Sequence, residues 1–331
     1  MTFTKTEAVP APTKKSPPTE LPEVDARSQC GQDALVDQII EAISDAGVCI
    51  VRNIFSPEIV SQILEDLEPY VAKTTQFDSY NANGCQMTGL LTKSETYAHK
   101  VVGNYLFQKV HNYFITARYR CWVQEGVQMT FESPPQLNST VCFYLNPDSP
   151  DQLLHRDDQI HQHWNGAASE YVLGRDAVCS MFAALTPATR DNGTTRFIPG
   201  SHLWDYKEPY PVGQDPRLRY AELNPGDCFM MLGSVVHASS ANTTTDQRRV
   251  LISTHVSRSN LRAEENHFLT YSLEEVKKFP LWLQQFIGYT VSKPFCGWVD
   301  KKDPLRLVNP KASDALVSGY GKEYLEAKGA L

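Results

Sequence analysis

The sequence has no C-x-x-C pair, no unbroken run of eighteen apolar residues and no internal repeat. The missing dithiol pair excludes a zinc knuckle or a thioredoxin-type redox centre. The missing apolar run excludes a membrane-spanning helix. The opening stretch MTFTKTEAVPAPTKKSPPTELP has no apolar core of the kind a secretory signal needs, and the closing KGAL is not a peroxisomal address. Positive charge is in deficit: 31 Lys and Arg stand against 38 Asp and Glu, a net charge of −7. That balance argues against a nucleic-acid or anionic-membrane partner. Cysteines fall at 30, 49, 85, 121, 142, 179, 228 and 296, mostly inside apolar runs such as VCIV and VCFYL. They read as buried reduced thiols, and a cytoplasmic protein is expected.

What is present is enough for one large core. A chain of 331 residues buries roughly 75% of its unfolded surface and needs no disulfide or structural metal to fold. Residues 1–24, rich in Pro, Thr and Lys, are expected to form a disordered tail ahead of a single domain over 25–331. Leu35, Val36, Ile39, Ile40 and Ile43 recur at helical spacing up to Gly47. VCIVRNIF at 48–55 predicts a strand, and Ser56-Pro57 a helix start with Ile59, Val60, Ile63, Leu64 and Leu67 inward. A further helix is expected over 96–115 with Val101, Val102, Tyr105, Leu106 and Val110 inward; before it, TTQFDSYNANGCQMTG predicts a mobile loop. From about residue 120 the period changes to two. Strands are expected at CWVQ, STVCFYLN, AVCSMFAAL, TTRFIP, DCFMML and RRVLISTHV, separated by NPDSPD, RDNG and NPGD. The pattern predicts a mostly β core, closed or sandwiched, with flanking helices.

The segment QLLHRDDQIHQHW at 152–164 concentrates polar chemistry. His155 and Asp157 lie two apart, so on extended backbone they share a face and can converge on one ion. A lone H-x-D is weak evidence, and His161 and His163 form a rival pair. The stretch GDCFMMLGSVVHASSANTTTDQRRVLIS at 226–253 adds His237 on an apolar strand, then Arg248 and Arg249 entering another. Two His and one Asp occupy three adjacent corners of an octahedron and leave three open. A keto acid fills two by chelation and dioxygen the third; the far carboxylate of the keto acid calls for a planar, bidentate Arg.

Three motifs, QLLHRDD at 152–158, DNGTTRFIPGSH at 191–202 and GDCFMMLGSVVHASSAN at 226–242, resemble those of the phytanoyl-CoA dioxygenase family of Fe(II)/2-oxoglutarate oxygenases. The resemblance runs from about residue 33 to about residue 305. The segment FIGYTVSKPFCGWVDKKDPLRLV at 286–308 resembles the tail of fungal natural-product members, which act on meroterpenoids and alkaloids. The resemblance implies a double-stranded β-helix (jelly-roll, cupin-like) core. It implies His155, Asp157 and His237 as iron ligands, and Gln152, Thr189 and Ser239 as contacts for 2-oxoglutarate. One family spacing selects Arg248 for the keto acid, while counting back from VLIS selects Arg249. Strand alternation lets only one face inward, and Arg249 is preferred. A carboxylate at 157 excludes the halogenases of this class, which carry Gly or Ala there. His202 is expected to be structural, and His161 and His163 to lie at the rim.

The implied reaction oxidises an apolar small molecule with dioxygen while 2-oxoglutarate is decarboxylated. Hydroxylation, desaturation, rearrangement and endoperoxidation are all open outcomes. The loop 74–92, with Phe77, Tyr80, Met87 and Leu90, and the aromatic pair Phe295 and Trp298 are candidate substrate walls. A homodimer is expected by resemblance to the fungal members. Two rival readings use the same three residues. A zinc hydrolase predicts no need for Arg, and a non-catalytic metal-binding jelly-roll predicts a fourth protein ligand such as His161.

Overall fold

The computed structural model describes residues 21–72, 75–76, 84–124, 126–213 and 215–312. Of the expected tail, residues 1–20 lie outside them. Glu23 and Val24 are not tail: they open strand β1 (Glu23–Asp25), which pairs in parallel with β2 (Val48–Arg52). The reason is local. Val24 is buried, and Arg52 grips both carboxylate oxygens of Glu23, at 2.6 and 2.9 Å.

Helix α1 (Gln32–Ala46) buries the predicted Leu35, Val36, Ile39 and Ile43. Gly47 ends it in the left-handed region, returning its N–H to the Ile43 carbonyl at 2.8 Å. A Cβ there would also lie 2.6 Å from Val235 Cγ2, so only glycine fits. Helix α2 (Pro57–Val71) starts as its sequence requires, with the Ser56 hydroxyl accepting the Ile59 N–H. Such a cap contributes about 1 kcal/mol. The helix expected over 96–115 is broken. A π-helical turn covers Tyr97–Val102, and α3 (Tyr105–Ile115) starts afresh from Asn104, whose side chain accepts the Phe107 N–H. Tyr105 is therefore a first-turn residue; it is exposed and donates its hydroxyl to Asp33 rather than facing inward. Further along α3, His111 is buried between Phe107 and Phe286 with neither ring nitrogen hydrogen-bonded.

The remaining strands are β3 (Thr75–Gln76), β4 (Gly84–Thr88), β5 (Ala117–Gln124), β6 (Val127–Ser133), β7 (Pro135–Leu145), β8 (Val178–Ala184), β9 (Thr195–Phe197), β10 (Arg219–Tyr220), β11 (Cys228–Leu232), β12 (His237–Ser239) and β13 (Arg249–Arg258). Among the described residues β5 and β6 pair only with each other. The large sheet runs β1-β2-β11-β8-β13-β7-β4-β3, and a small sheet runs β10-β9-β12. A bridge between His155 and His237 extends the small sheet by one segment. The two sheets face each other across a cavity of about 260 Å³, giving the closed β core that the period-two region predicted and the jelly-roll that the family resemblance implied.

Alternation decides what faces the cavity. On β13, Arg249, Leu251 and His255 point into it, while Val250, Ile252 and Val256 pack into the core. On β8 the same split separates Val178 and Phe182 from Cys179, Met181 and Ala183. The core side is covered by α1 and α3, which pack on β2 and on β7, β8 and β13 respectively. Each fully buried Ile or Leu there contributes roughly 1.5–3 kcal/mol.

Candidate active site

His155 and His237 are brought together by main chain. Each donates its N–H to the other's carbonyl at 3.0 Å, and the rings sit 4.4 Å apart between centroids. Each ring also turns its Nδ1 to a carbonyl two residues earlier, Leu153 for His155 and Val235 for His237, both at 3.0 Å. Nδ1 therefore carries a proton, and Nε2 faces the cavity, where a bound ion would take its lone pair in place of a second proton. Asp157 follows an extended Arg156 and opens a short 3-10 turn (Asp157–His161). Arg156 is buried, donates Nε to the Ser234 carbonyl at 2.9 Å and lies over the Tyr206 ring. It thereby fixes the backbone between the two candidate ligands.

Asp157 Oδ1 stands 3.5 Å from His155 Nε2 and 3.4 Å from His237 Nε2, and the ligand atoms of all three lie within 4.8 Å of one another. Ligand bonds of about 2.0–2.2 Å place adjacent octahedral donors roughly 3 Å apart, so this set fits a single ion. Asp157 Oδ2 faces away from the rings, toward Ser180 Oγ at 3.5 Å and His255 Nδ1 at 3.7 Å. Ser180 Oγ and His255 Nδ1 are themselves 2.8 Å apart, and Ser253 Oγ holds the other ring nitrogen at 3.0 Å. Among the described residues the cluster has three members, and His161 is not one of them.

The electrostatics suit a metal. Burial alone would raise the Asp157 carboxyl, but the rings of His237, His155 and His255 outweigh it and hold the group below the usual carboxylate range. The two candidate ligand rings differ. Burial pulls His237 down to about 4. His155 is also opposed by burial, yet its hydrogen bond to Asp157 and the carboxylate charge prevail and raise it. The fully enclosed ring is thus neutral and ready to ligate at ordinary pH.

Along the cavity from the cluster lies Arg249. It is buried, and its Nη1 donates to the Gly193 carbonyl at 2.7 Å, while Nε has no partner. Burial brings its guanidinium to about 10, still protonated at neutral pH. Among the described residues no carboxylate pairs with it. Gly193 itself has a positive φ of 91°, and a Cβ there would press on the Ser240 carbonyl at 2.8 Å. Gln152 and Ser239 line the same cavity, with Gln152 Oε1 accepting the Ser239 N–H at 3.0 Å. An unpaired buried cation beside hydroxyl and amide groups fits the far carboxylate of a keto acid.

Several expected positions move. Arg248 points outward, donating to Asn146 at 2.8 Å and lying over Tyr144, as strand alternation requires once Arg249 faces in. Thr189 does not line the cavity; its N–H and hydroxyl tie to Asn192 and close the turn before β9. Thr195, on β9, lines the cavity instead. Met87 and Leu90 are buried in the core. The expected mobile loop is in part strand β4, in which Gln86 takes the cavity face and Met87 the core face; Leu90 follows in a 3-10 turn tied to Thr140. Phe77 and Tyr80 lie outside the described residues. Phe295 and Trp298 are exposed and do not line this cavity, because the segment folds as turns closed by a Ser292–Cys296 bridge. His202 is buried and bonded to the Ser44 carbonyl at 3.1 Å, and His163 to the Arg175 carbonyl at 2.6 Å. Sequence reasoning missed Thr195, His255, Asn138, Ser139 and Glu264 on the cavity wall. His255 had a signal: it continues the inward set 249, 251, 253 on its strand.

Comparison with known proteins agrees. The family model for phytanoyl-CoA dioxygenase (PhyH) matches residues 43–250. Dioxygenase cnsJ of Penicillium expansum is 53% identical over 294 residues, covering 89% of this chain and 88% of its own. Dioxygenase himG of Aspergillus japonicus is 35% identical over 285 residues, covering 83% and 87%. Among solved structures, the non-heme alpha ketoglutarate dependent carbocyclase SnoK from nogalamycin biosynthesis superposes with a TM-score of 0.52 at 14% identity, over 74% of this chain and 94% of that one. The epimerase SnoN from the same biosynthesis gives 0.50 at 16%, over 72% and 89%. At such identities these two speak to the fold alone.

Proposed function

The chain belongs to the phytanoyl-CoA dioxygenase family, and from that premise we propose that it oxidises an apolar fungal secondary metabolite at a site where His155, Asp157 and His237 hold Fe(II). Ferrous iron with 2-oxoglutarate supplies, when bound, the power to activate dioxygen at the expense of the keto acid. In the hydroxylation case a substrate C–H, dioxygen and 2-oxoglutarate become C–OH, succinate and carbon dioxide.

The chain's own residues set the conditions for this. Asp157 presents Oδ1 while Ser180 and His255 face Oδ2, so the carboxylate offers one oxygen and leaves room for co-substrate. Arg249 would bind the far carboxylate of 2-oxoglutarate, with Ser239, Thr195 and Gln152 alongside. Val141, Phe143, Phe182 and Leu251 line the same cavity and, with substrate packed on them, would limit water at the reacting centre. Substrate takes the remaining space beside the cluster.

The observation that carries this reading is the unpaired, buried Arg249 in one cavity with an open-sided cluster of two His and one Asp. A zinc hydrolase leaves that guanidinium without a task. A purely structural metal site wants a fourth ligand, and His161 does not provide it. The likeness of residues 286–308 to fungal natural-product members supports the substrate class. All eight cysteines are free thiols, which suits a reducing compartment such as the cytoplasm.

Anaerobic protein given Fe(II) and 2-oxoglutarate should show the weak visible charge-transfer band near roughly 500 nm that direct metal–keto-acid bonding produces. Air should then yield succinate. Iron-loaded protein that shows neither band nor succinate overturns the reading.

A further inference from the structure

The cavity wall carries a second carboxylate that the proposed chemistry does not use. The inward residues of β13 run from Arg249 to His255, roughly 20 Å of strand. Arg249 marks the keto-acid end. At the other end β7 is irregular: its register with β13 passes from His255–Ser139 to Val256–Leu137 and leaves Asn138 without a strand partner. A bulge of this kind re-aims a side chain. Here it sets two consecutive polar side chains, Asn138 and Ser139, on the cavity wall, and both are buried.

Both donate to Glu264. Asn138 Nδ2 lies 3.4 Å and Ser139 Oγ 3.2 Å from Oε2 of that carboxylate. Asn138 Oδ1 accepts the Glu264 N–H at 2.9 Å, and its carbonyl accepts the Glu265 N–H at 3.0 Å. The carboxylate is therefore held in place before any ligand arrives. Apart from Asp157 it is the one carboxylate on the wall among the described residues, and no Lys or Arg among them pairs with it. The His161 ring senses its charge, yet burial keeps that ring below its ordinary value. Among the described residues no Lys lines the cavity, and the one Arg that does is at the opposite end. A substrate bearing carboxylate or phosphate would meet repulsion here. Glu264 is exposed at the mouth of the cavity, so a neutral one would leave its charge to solvent and gain nothing from it. A protonated amine would gain a charge-assisted hydrogen bond while Val141 and Phe182 receive its apolar body.

Building on the oxygenase reading above, we propose that Glu264, oriented by Asn138 and Ser139, anchors the substrate and that the substrate carries a basic amine. Phenylbutylamine, phenylbutanol and phenylbutyrate share one apolar body and differ in head charge. Calorimetric titration of each into the full-length protein, with Ni(II) and 2-oxoglutarate present so that no turnover occurs, should rank the amine about threefold over the alcohol, the weight of a solvent-exposed ion pair, and the acid weakest. Glu264→Gln keeps the size and an acceptor; it should bring the amine down to the level of the alcohol and leave the alcohol unchanged. Equal binding of amine and alcohol, no binding of the amine, or a preference that survives Glu264→Gln overturns the proposal. The visible band with Fe(II) and 2-oxoglutarate, recorded on the same proteins, reads the cofactor site separately. A missing band with the amine preference intact would sink the cofactor reading and spare the anchor.

Discussion

His255 Nδ1 stands 3.7 Å from Asp157 Oδ2, on the side of the carboxylate away from the His155 and His237 rings. The acid is therefore addressed from both sides, and each of its oxygens has a separate task. With Ser180, His255 is a positioning group. Groups that orient a ligand typically contribute ten- to a hundredfold, in rough terms, to metal affinity. Ser180→Ala and His255→Ala should each weaken Mn(II) binding by about tenfold in a calorimetric titration, with the melting transition little changed. Unaltered affinity in the double variant would show that Oδ2 needs no support.

Removing the ligands themselves should have a larger effect. His237→Ala, or the pair His155→Ala and Asp157→Ala, should abolish both the Fe(II)–keto-acid band and succinate release. Full turnover in the double variant would place the iron elsewhere.

The two neighbouring arginines give a paired experiment. Arg249→Gln deletes the buried guanidinium and should raise the apparent KM for 2-oxoglutarate by about tenfold or more, the weight of a charge-assisted hydrogen bond. Arg248→Gln loses contacts outside the cavity, with Asn146 and the Tyr144 ring, and should leave that KM within about twofold. Equal effects at both positions would contradict the inward setting of Arg249.

His111 predicts an acid sensitivity away from the site. Burial among Phe107 and Phe286 pulls its ring down to about 3 from an ordinary 6.5. The folded state thus favours the neutral ring. Its contribution is complete above pH 6.5 and is lost as pH falls toward 3, because the unfolded chain takes up the proton first. At pH 5 the loss from this one group amounts to about 2 kcal/mol. His111→Phe should narrow the difference between urea unfolding at pH 7 and pH 5 by about that amount, and an unchanged difference would assign the acid sensitivity to other groups.

Much of this site was legible in the residues alone. The H-x-D spacing and the distant His237 marked the cluster because three ligand side chains must meet whatever else changes. Alternation allowed only one of the two arginines inward, and counting back from VLIS selected Arg249 over Arg248. The same period marked His255, but its chemistry gave no reason to look there. Thr189 and Thr195 were harder to separate, since which one faces the cavity depends on where the turn closes, and Asn192 closes it on Thr189. Met87 failed for a related reason: without seeing β4, nothing phased Gln86 toward the cavity and Met87 toward the core. The bulge at Asn138 leaves no mark in composition or period. It is a one-residue slip between β7 and β13, and only the pairing reveals it.

The reciprocal hydrogen bonds between His155 and His237 join two stretches of chain far apart in sequence. An ion held by those rings would act as a removable rivet through a seam that is already stitched. Chelation should accordingly empty the centre without melting the barrel, and reloading should be quick, because the donors wait in place rather than gathering anew.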